Sequence, residues 1–166
     1  KTYSPQWILI SFSDAADKKM KKYVDKDGFT EFVMNIDNGT DNNIEIYGSN
    51  NIMYLDGIKD LDVRSINIAN ATKLVELDIS NSTRIEEISL GNNRYLQKVL
   101  ANNCPKLGLT VDNKTLDLAN CATLKELDCS YTHIANVTFN PLGGVIERLN
   151  CSYSDITSFN LVGQEY

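Results

Sequence analysis

Between residues 74 and 107 one short phrase occurs three times without a break, and it restricts the fold more than any other feature of the chain. The copies read Leu74-Val-Glu-Leu77-Asp-Ile79-Ser-Asn81, Ile85-Glu-Glu-Ile88-Ser-Leu90-Gly-Asn92 and Leu96-Gln-Lys-Val99-Leu-Ala101-Asn-Asn103. Apolar residues fill positions 1, 4 and 6, Asn fills position 8, and each copy starts 11 residues after the one before. Self-similarity at a fixed short period marks a stacked repeat array in which neighbouring units share one core.

Weaker copies precede these three: Ile44-Glu-Ile46 with Gly48 in the Asn place, then Ile52-Met-Tyr-Leu55-Asp-Gly57, then Val63-Arg-Ser-Ile66-Asn-Ile68-Ala-Asn70. After them comes an enlarged unit from Leu107, with about six extra residues around 110–114 ahead of Leu116-Asp-Leu118-Ala-Asn120. The last copies start at Leu124, Ile134, Ile146 and Ile156. Eleven extended residues reach only about 36 Å, too little to close a coil around a core about 10 Å thick. Each unit is therefore expected to be half a coil, alternating between two parallel sheets. The matching of alternate copies agrees: Leu124-Lys-Glu-Leu-Asp-Cys-Ser-Tyr131 and Ile146-Glu-Arg-Leu-Asn-Cys-Ser-Tyr153 lie 22 residues apart.

The pattern L-x-x-L-x-[L/C]-x-x-N, with Asn81, Asn92, Asn103 and Asn120 in the Asn place, resembles the leucine-rich repeat family. The 21–22-residue double unit is similar to the nested bacterial class called IRREKO repeats. The resemblance covers residues 41–166; it departs from the family where Tyr131, Pro141, Tyr153 and Gly163 replace the Asn and where the unit at Leu107 is overlong. It implies a mainly β, right-handed solenoid with two parallel sheets, and a non-enzymatic module that recognises a protein or glycan at a bacterial surface or outside the cell.

Residues 1–40 read as an N-terminal α+β cap of strand, helix and strand. Trp7-Ile-Leu-Ile-Ser-Phe12 has strand composition, and Ala16, Met20 and Tyr23 or Val24 recur at helical spacing after Ser13-Asp14, with lysines opposite. A second strand is expected over residues 29–36, before the turn at 37–40. Asp25-Lys-Asp27-Gly28 could open a calcium loop, but its fifth and twelfth positions hold Phe29 and Ile36 instead of oxygen ligands; it is read as a polar turn.

In each strand positions 4 and 6 should point inward and positions 3 and 5 outward. Leu77, Val99, Leu127 and Leu149 then form one buried column, and Ile79, Ala101, Cys129 and Cys151 the next, the two cysteines as free thiols. Cys104 and Cys121 fall in turns at opposite edges and should not pair. The Asn residues are expected to turn inward and satisfy backbone groups, which would deny the sequons at Asn70 and Asn81 to glycosylation; Asn150, Asn38 and Asn113 also lie in sequons.

Outward, one sheet presents Glu76, Lys98, Glu126 and Arg148, alternating in sign, which reads as a stabilising ladder. Beside it run Asp56, Asp78, Leu100, Asp128 and Asn150. Because Asp56 and Asp78 would be adjacent like charges, this acidic column with Tyr54 is the candidate binding stripe, and the face as a whole comprises Tyr54, Asp56, Glu76, Asp78, Lys98, Leu100, Glu126, Asp128, Arg148 and Asn150. The other sheet offers only small groups, Ser65, Asn67, Ser89, Thr115, Asp117, Thr138 and Asn160, a flat surface that could pack on another protein.

A net charge of −6 and a pI near 4.8 argue against nucleic acid. The longest apolar run, Trp7-Ile-Leu-Ile10, is too short for membrane insertion. The basic run Lys18, Lys19, Lys21, Lys22 is flanked by Asp14, Asp17, Asp25 and Asp27 and reads as a solvated face. With His133 the sole histidine, no nucleophile–base constellation, zinc cluster or cofactor motif can be assembled, and Glu86-Glu87 would project to opposite sides of a strand. The chain opens at Lys1 without Met or a signal peptide, which fits a mature secreted form or a piece of a longer protein. Its last copy stops without a polar cap, which points to end-to-end packing through that edge and to a second reading: a structural component of a larger surface protein, a filament or a virus particle.

Overall fold

The computed structural model describes residues 6–12, 15–24, 44–47, 52–55 and 63–161. Strands β1 (Gln6–Phe12), β2 (Ala15–Val24) and β3 (Ile44–Tyr47) form an antiparallel sheet in the order β2-β1-β3. The helix expected from residues 14 to 24 is not formed. Residues 15–24 are strand β2, registered Trp7 to Tyr23 and Ile10 to Met20 against β1. The physical reason is length: a ten-residue helix with three or four apolar residues is marginal by itself, whereas a strand here gains a ladder to a β-branched, aromatic neighbour. β3 contains Ile44 and Ile46, read from sequence as the first repeat copy; it pairs antiparallel with β1 instead. The expected strand at 29–36, the turns at 25–28 and 37–40 and the position of Asp56 lie outside the described residues.

The described residues between 52 and 161 form a parallel β-solenoid. β4 (Tyr54–Leu55), β6 (Glu76–Asp78), β8 (Lys98–Leu100), β10 (Glu126–Asp128) and β12 (Arg148–Asn150) form one five-stranded sheet in the order β12-β10-β8-β6-β4. The registers are those that the alternation of half-coils requires, 22 residues apart except across the enlarged unit: Leu77 opposite Val99, Val99 opposite Leu127, Leu127 opposite Leu149. Strands only three residues long persist because coil-to-coil bonding continues past both ends. Gln97 N donates to Val75 O at 2.8 Å before the strand, and Ile79 N donates to Leu100 O at 2.8 Å after it.

The opposite side is not one sheet. β5 (Ser65–Asn67) pairs with β7 (Glu87–Ser89), and β9 (Thr115–Leu118) pairs with β11 (Asn136–Phe139). The enlarged unit separates the two pairs. Gly108, at φ +80°, brings the chain against the 133–134 backbone, where an added Cβ would lie 2.7 Å from His133 and Ile134 main-chain atoms. The extra residues then make a short 3-10 turn at Val111–Asn113 before β9 begins. The single flat face expected on this side is therefore interrupted. The copy beginning at Ile156 forms no strand, although Phe159 still packs against Phe139, with ring centroids 6.4 Å apart.

Between the two sides lies the core: Leu74, Leu77, Ile79, Ile85, Leu96, Val99 and Ala101 are fully buried, and Leu127 and Cys129 continue their columns. Burial relaxes in the last coil, where Leu149, Cys151, Ile156 and Phe159 are only partly covered.

Candidate functional site

The first two positions before and at each strand of the five-stranded sheet build a shallow groove. Its lining combines position 3, Glu76, Lys98, Glu126 and Arg148, with position 2, Val75, Gln97, Lys125 and Glu147, and Tyr54 closes one end. The volume is about 250 Å³ and the groove is open to solvent. Parallel register sets opposite charges side by side. Lys98 Nζ lies 3.4 Å from Glu76, Arg148 Nη1 lies 3.4 Å from Glu126, and Lys125 Nζ lies 2.8 Å from Glu147. Glu147 is held below the usual carboxylate range, mainly by the Lys125 hydrogen bond. The sequence pointed to position 3 but missed position 2. The opposite signs of Lys125 and Glu147, 22 residues apart, were the available signal.

The neighbouring column has a local structural task. Asp78 Oδ1 accepts from Ser80 N at 2.9 Å, Asp128 Oδ1 from Ser130 N at 3.0 Å, and Asn150 Oδ1 from Ser152 N at 3.2 Å. Asn67 and Asp117 make the same bond on the other side, each at 3.0 Å to the amide two residues on. Position 5 thus closes an Asx turn as the chain leaves the strand. Along the column Asp78 and Asp128 flank Leu100, and Asn150 Nδ2 donates to Asp128 Oδ2 at 3.1 Å, so described acids are not stacked directly on one another.

The Asn residues at position 8 do not turn inward. Asn70, Asn81, Asn92, Asn103 and Asn120 are exposed. Asn81 and Asn103 have φ of +63° and +56°, a left-handed conformation that Asn tolerates better than most residues. The inward polar group is one residue later. Asn93 is fully buried and its amide donates to the Ile68 and Leu90 carbonyls; Cys104 Sγ donates to Ile79 O at 3.1 Å, and Thr132 Oγ1 to Cys129 O at 2.7 Å. The sequons at Asn70 and Asn81 are consequently on the surface, contrary to expectation.

At the same position 8, the later coils carry Tyr131 and Tyr153, at φ +55° and +58°. Holding a residue of that size in the left-handed region costs on the order of 1–3 kcal/mol. The two rings stack with centroids 4.5 Å apart and planes 17° from parallel, and they remain 53% and 76% exposed.

All four cysteines are free thiols. Burial pushes Cys104 up to about 11 and both Cys121 and Cys129 up to about 12, so at neutral pH these three are unreactive packing groups. His133 Nδ1 sits 3.3 Å from Asp155 Oδ2, and Lys114 Nζ reaches the same oxygen at 3.4 Å. Among the described residues no group of three His, Cys, Asp or Glu side chains is placed to hold a metal ion, and no helix is long and apolar enough to cross a membrane. Comparisons with protein-family models, curated proteins and solved structures return no match.

Proposed function

We propose that the chain is a non-enzymatic interaction module, a right-handed, leucine-rich-repeat-like solenoid that recognises a protein or glycan through its five-stranded face. The observation that carries this reading is the groove over β4, β6, β8, β10 and β12, where Tyr54 and six charged side chains converge on one continuous sheet. Its openness suits a partner's surface rather than an enclosed small molecule. The repeat phrase and its likeness to leucine-rich repeats support the same reading, and an extracellular or cell-surface setting is part of the proposal.

The test reverses groove charges without touching the Asx turns. Lys98→Glu combined with Arg148→Glu should weaken binding to a partner captured from a protein or glycan array at least about ten-fold, the loss of one good polar contact. Unchanged affinity would remove the groove from consideration. Asp78→Asn and Asp128→Asn keep the turn acceptor and remove the charge, so they probe the acidic column without unfolding it.

A second reading, assembly within a larger surface protein, filament or virus particle, is favoured by one feature. Strand β12 has β10 as its only neighbour among the described strands, and the apolar side chains behind it are half-covered. Light scattering on the isolated chain distinguishes the two, because assembly predicts oligomers that grow with concentration.

A further inference from the structure

We propose that the stacked pair Tyr131–Tyr153 is a binding platform for a pyranose ring of a glycan. The site lies beyond the carboxyl ends of β10 and β12, whereas the groove lies at their amino ends, so the inference does not rest on the groove.

The first observation is strain combined with exposure. Position 8 needs a left-handed backbone in this sheet, and the earlier coils meet that need with Asn81 and Asn103. Tyr131 and Tyr153 meet it with a far less suitable residue, and both remain more than half exposed. Neither choice serves the core, since Leu127 and Cys129 fill that role. Strained conformations persist where the surroundings hold them and where they carry a function.

The second observation is preorganisation. The turns bearing the rings are themselves registered, with Tyr131 N donating to Ser152 O at 2.9 Å. The 4.5 Å stack fixes both rings before any ligand arrives, so ordering them costs little on binding.

The third observation selects the occupant. Two tyrosine rings offer far less than the roughly 800 Å² that each partner contributes to a stable protein interface. The rim is polar: Ser152 is exposed beside Tyr153, and Asn150 is exposed two residues before Ser152. A ligand that fits has one ring-sized apolar face and a periphery of hydrogen-bonding groups. A pyranose has both, its axial C–H groups resting on the aromatic face.

The experiment titrates the full chain with cellohexaose, maltohexaose, mannohexaose and chitohexaose while following the tyrosine ring signals by NMR. At least one saccharide should shift the Tyr153 ring more than that of Tyr131, whose face is partly occupied by the stack. Tyr153→Ala should weaken that saccharide about ten-fold, and Tyr153→Phe should retain it. Tyr153→Asn is the decisive variant: it should melt no lower than the parent, because Asn suits the backbone better, yet weaken binding about ten-fold as Tyr153→Ala does. The proposal is overturned if none of the four saccharides moves either ring. It is also overturned if Tyr153→Asn melts well below the parent, which would make the pair structural, or if an aromatic peptide shifts the rings and no saccharide does.

Discussion

The two sides of the solenoid are built from the same phrase, yet one is a continuous five-stranded sheet and the other is two separate strand pairs. The difference comes from one insertion. On the continuous side successive strands are 22 residues apart until β10, and the extra residues of the enlarged unit fall on the far side of the coil. On the interrupted side they come between β7 and β9, where Gly108 and the 3-10 turn displace the chain. A solenoid can thus absorb additional length on one flank while the other keeps perfect register, and a surface for recognition is better placed on the flank that keeps it.

The largest effect that would break this contrast is expected in the core of the continuous side. Leu127 is 1% exposed and has a ladder neighbour on each side, so Leu127→Ala should cost about 2–5 kcal/mol in denaturant unfolding. Leu116, which among the described strands pairs with Val137 alone, should fall toward the low end of that range. Gly108→Ala attacks the interruption itself. Positive φ and a Cβ within 2.7 Å of backbone should together cost on the order of 3 kcal/mol, read from the shift in unfolding midpoint.

A smaller effect distinguishes the inner polar groups. Asn93 ties two coils on the interrupted side, and Asn93→Ala should lose about 1–3 kcal/mol. Thr132 bonds only within its own coil, and Thr132→Ala should lose roughly 1 kcal/mol. Smaller still is the charge ladder: Lys98→Met should change stability by no more than about 1 kcal/mol, and the difference should shrink in high salt.

The smallest effect is a pH response. Asp155 is held below its ordinary value, first by the hydrogen bond from His133 and then by Lys114. Its contribution is therefore fully present above the unfolded carboxylate pKa of roughly 3.9 and is lost as pH falls through the lower folded value. Asp155→Asn should flatten the acid limb of stability against pH, measured by thermal melts from neutrality downward.

Much of the architecture was legible because periodicity records side-chain direction. The columns headed by Leu77 and Ile79, the alternation of half-coils and the sign-alternating ladder from Glu76 to Arg148 all follow from spacing alone. Residues 15–24 were misread as helix because Ala16, Met20 and Tyr23 satisfy helical spacing, while the strand pairing with β1 is a non-local gain that a local pattern does not register. The inward position was misassigned by one residue because Asn at position 8 satisfies two physical needs equally well in sequence: buried hydrogen bonding and left-handed φ. Only the structure separates them, with Asn81 outside and Asn93 inside. In the candidate site, position 3 was recognised by its charge alternation, whereas Val75 and Gln97 carry no charge to reveal that position 2 shares the groove.

The Asx turns at position 5 have a consequence for how such a surface can change over time. Each turn uses a single Oδ1 acceptor, which aspartate and asparagine supply alike, as Asp78, Asp128 and Asn150 do in successive or nearby coils. Exchange of carboxylate for amide alters the charge of the outer face and leaves the backbone beneath it untouched. Shape and electrostatic character are therefore separately heritable here, and a lineage of such solenoids could change partners through single substitutions without passing through an unstable intermediate.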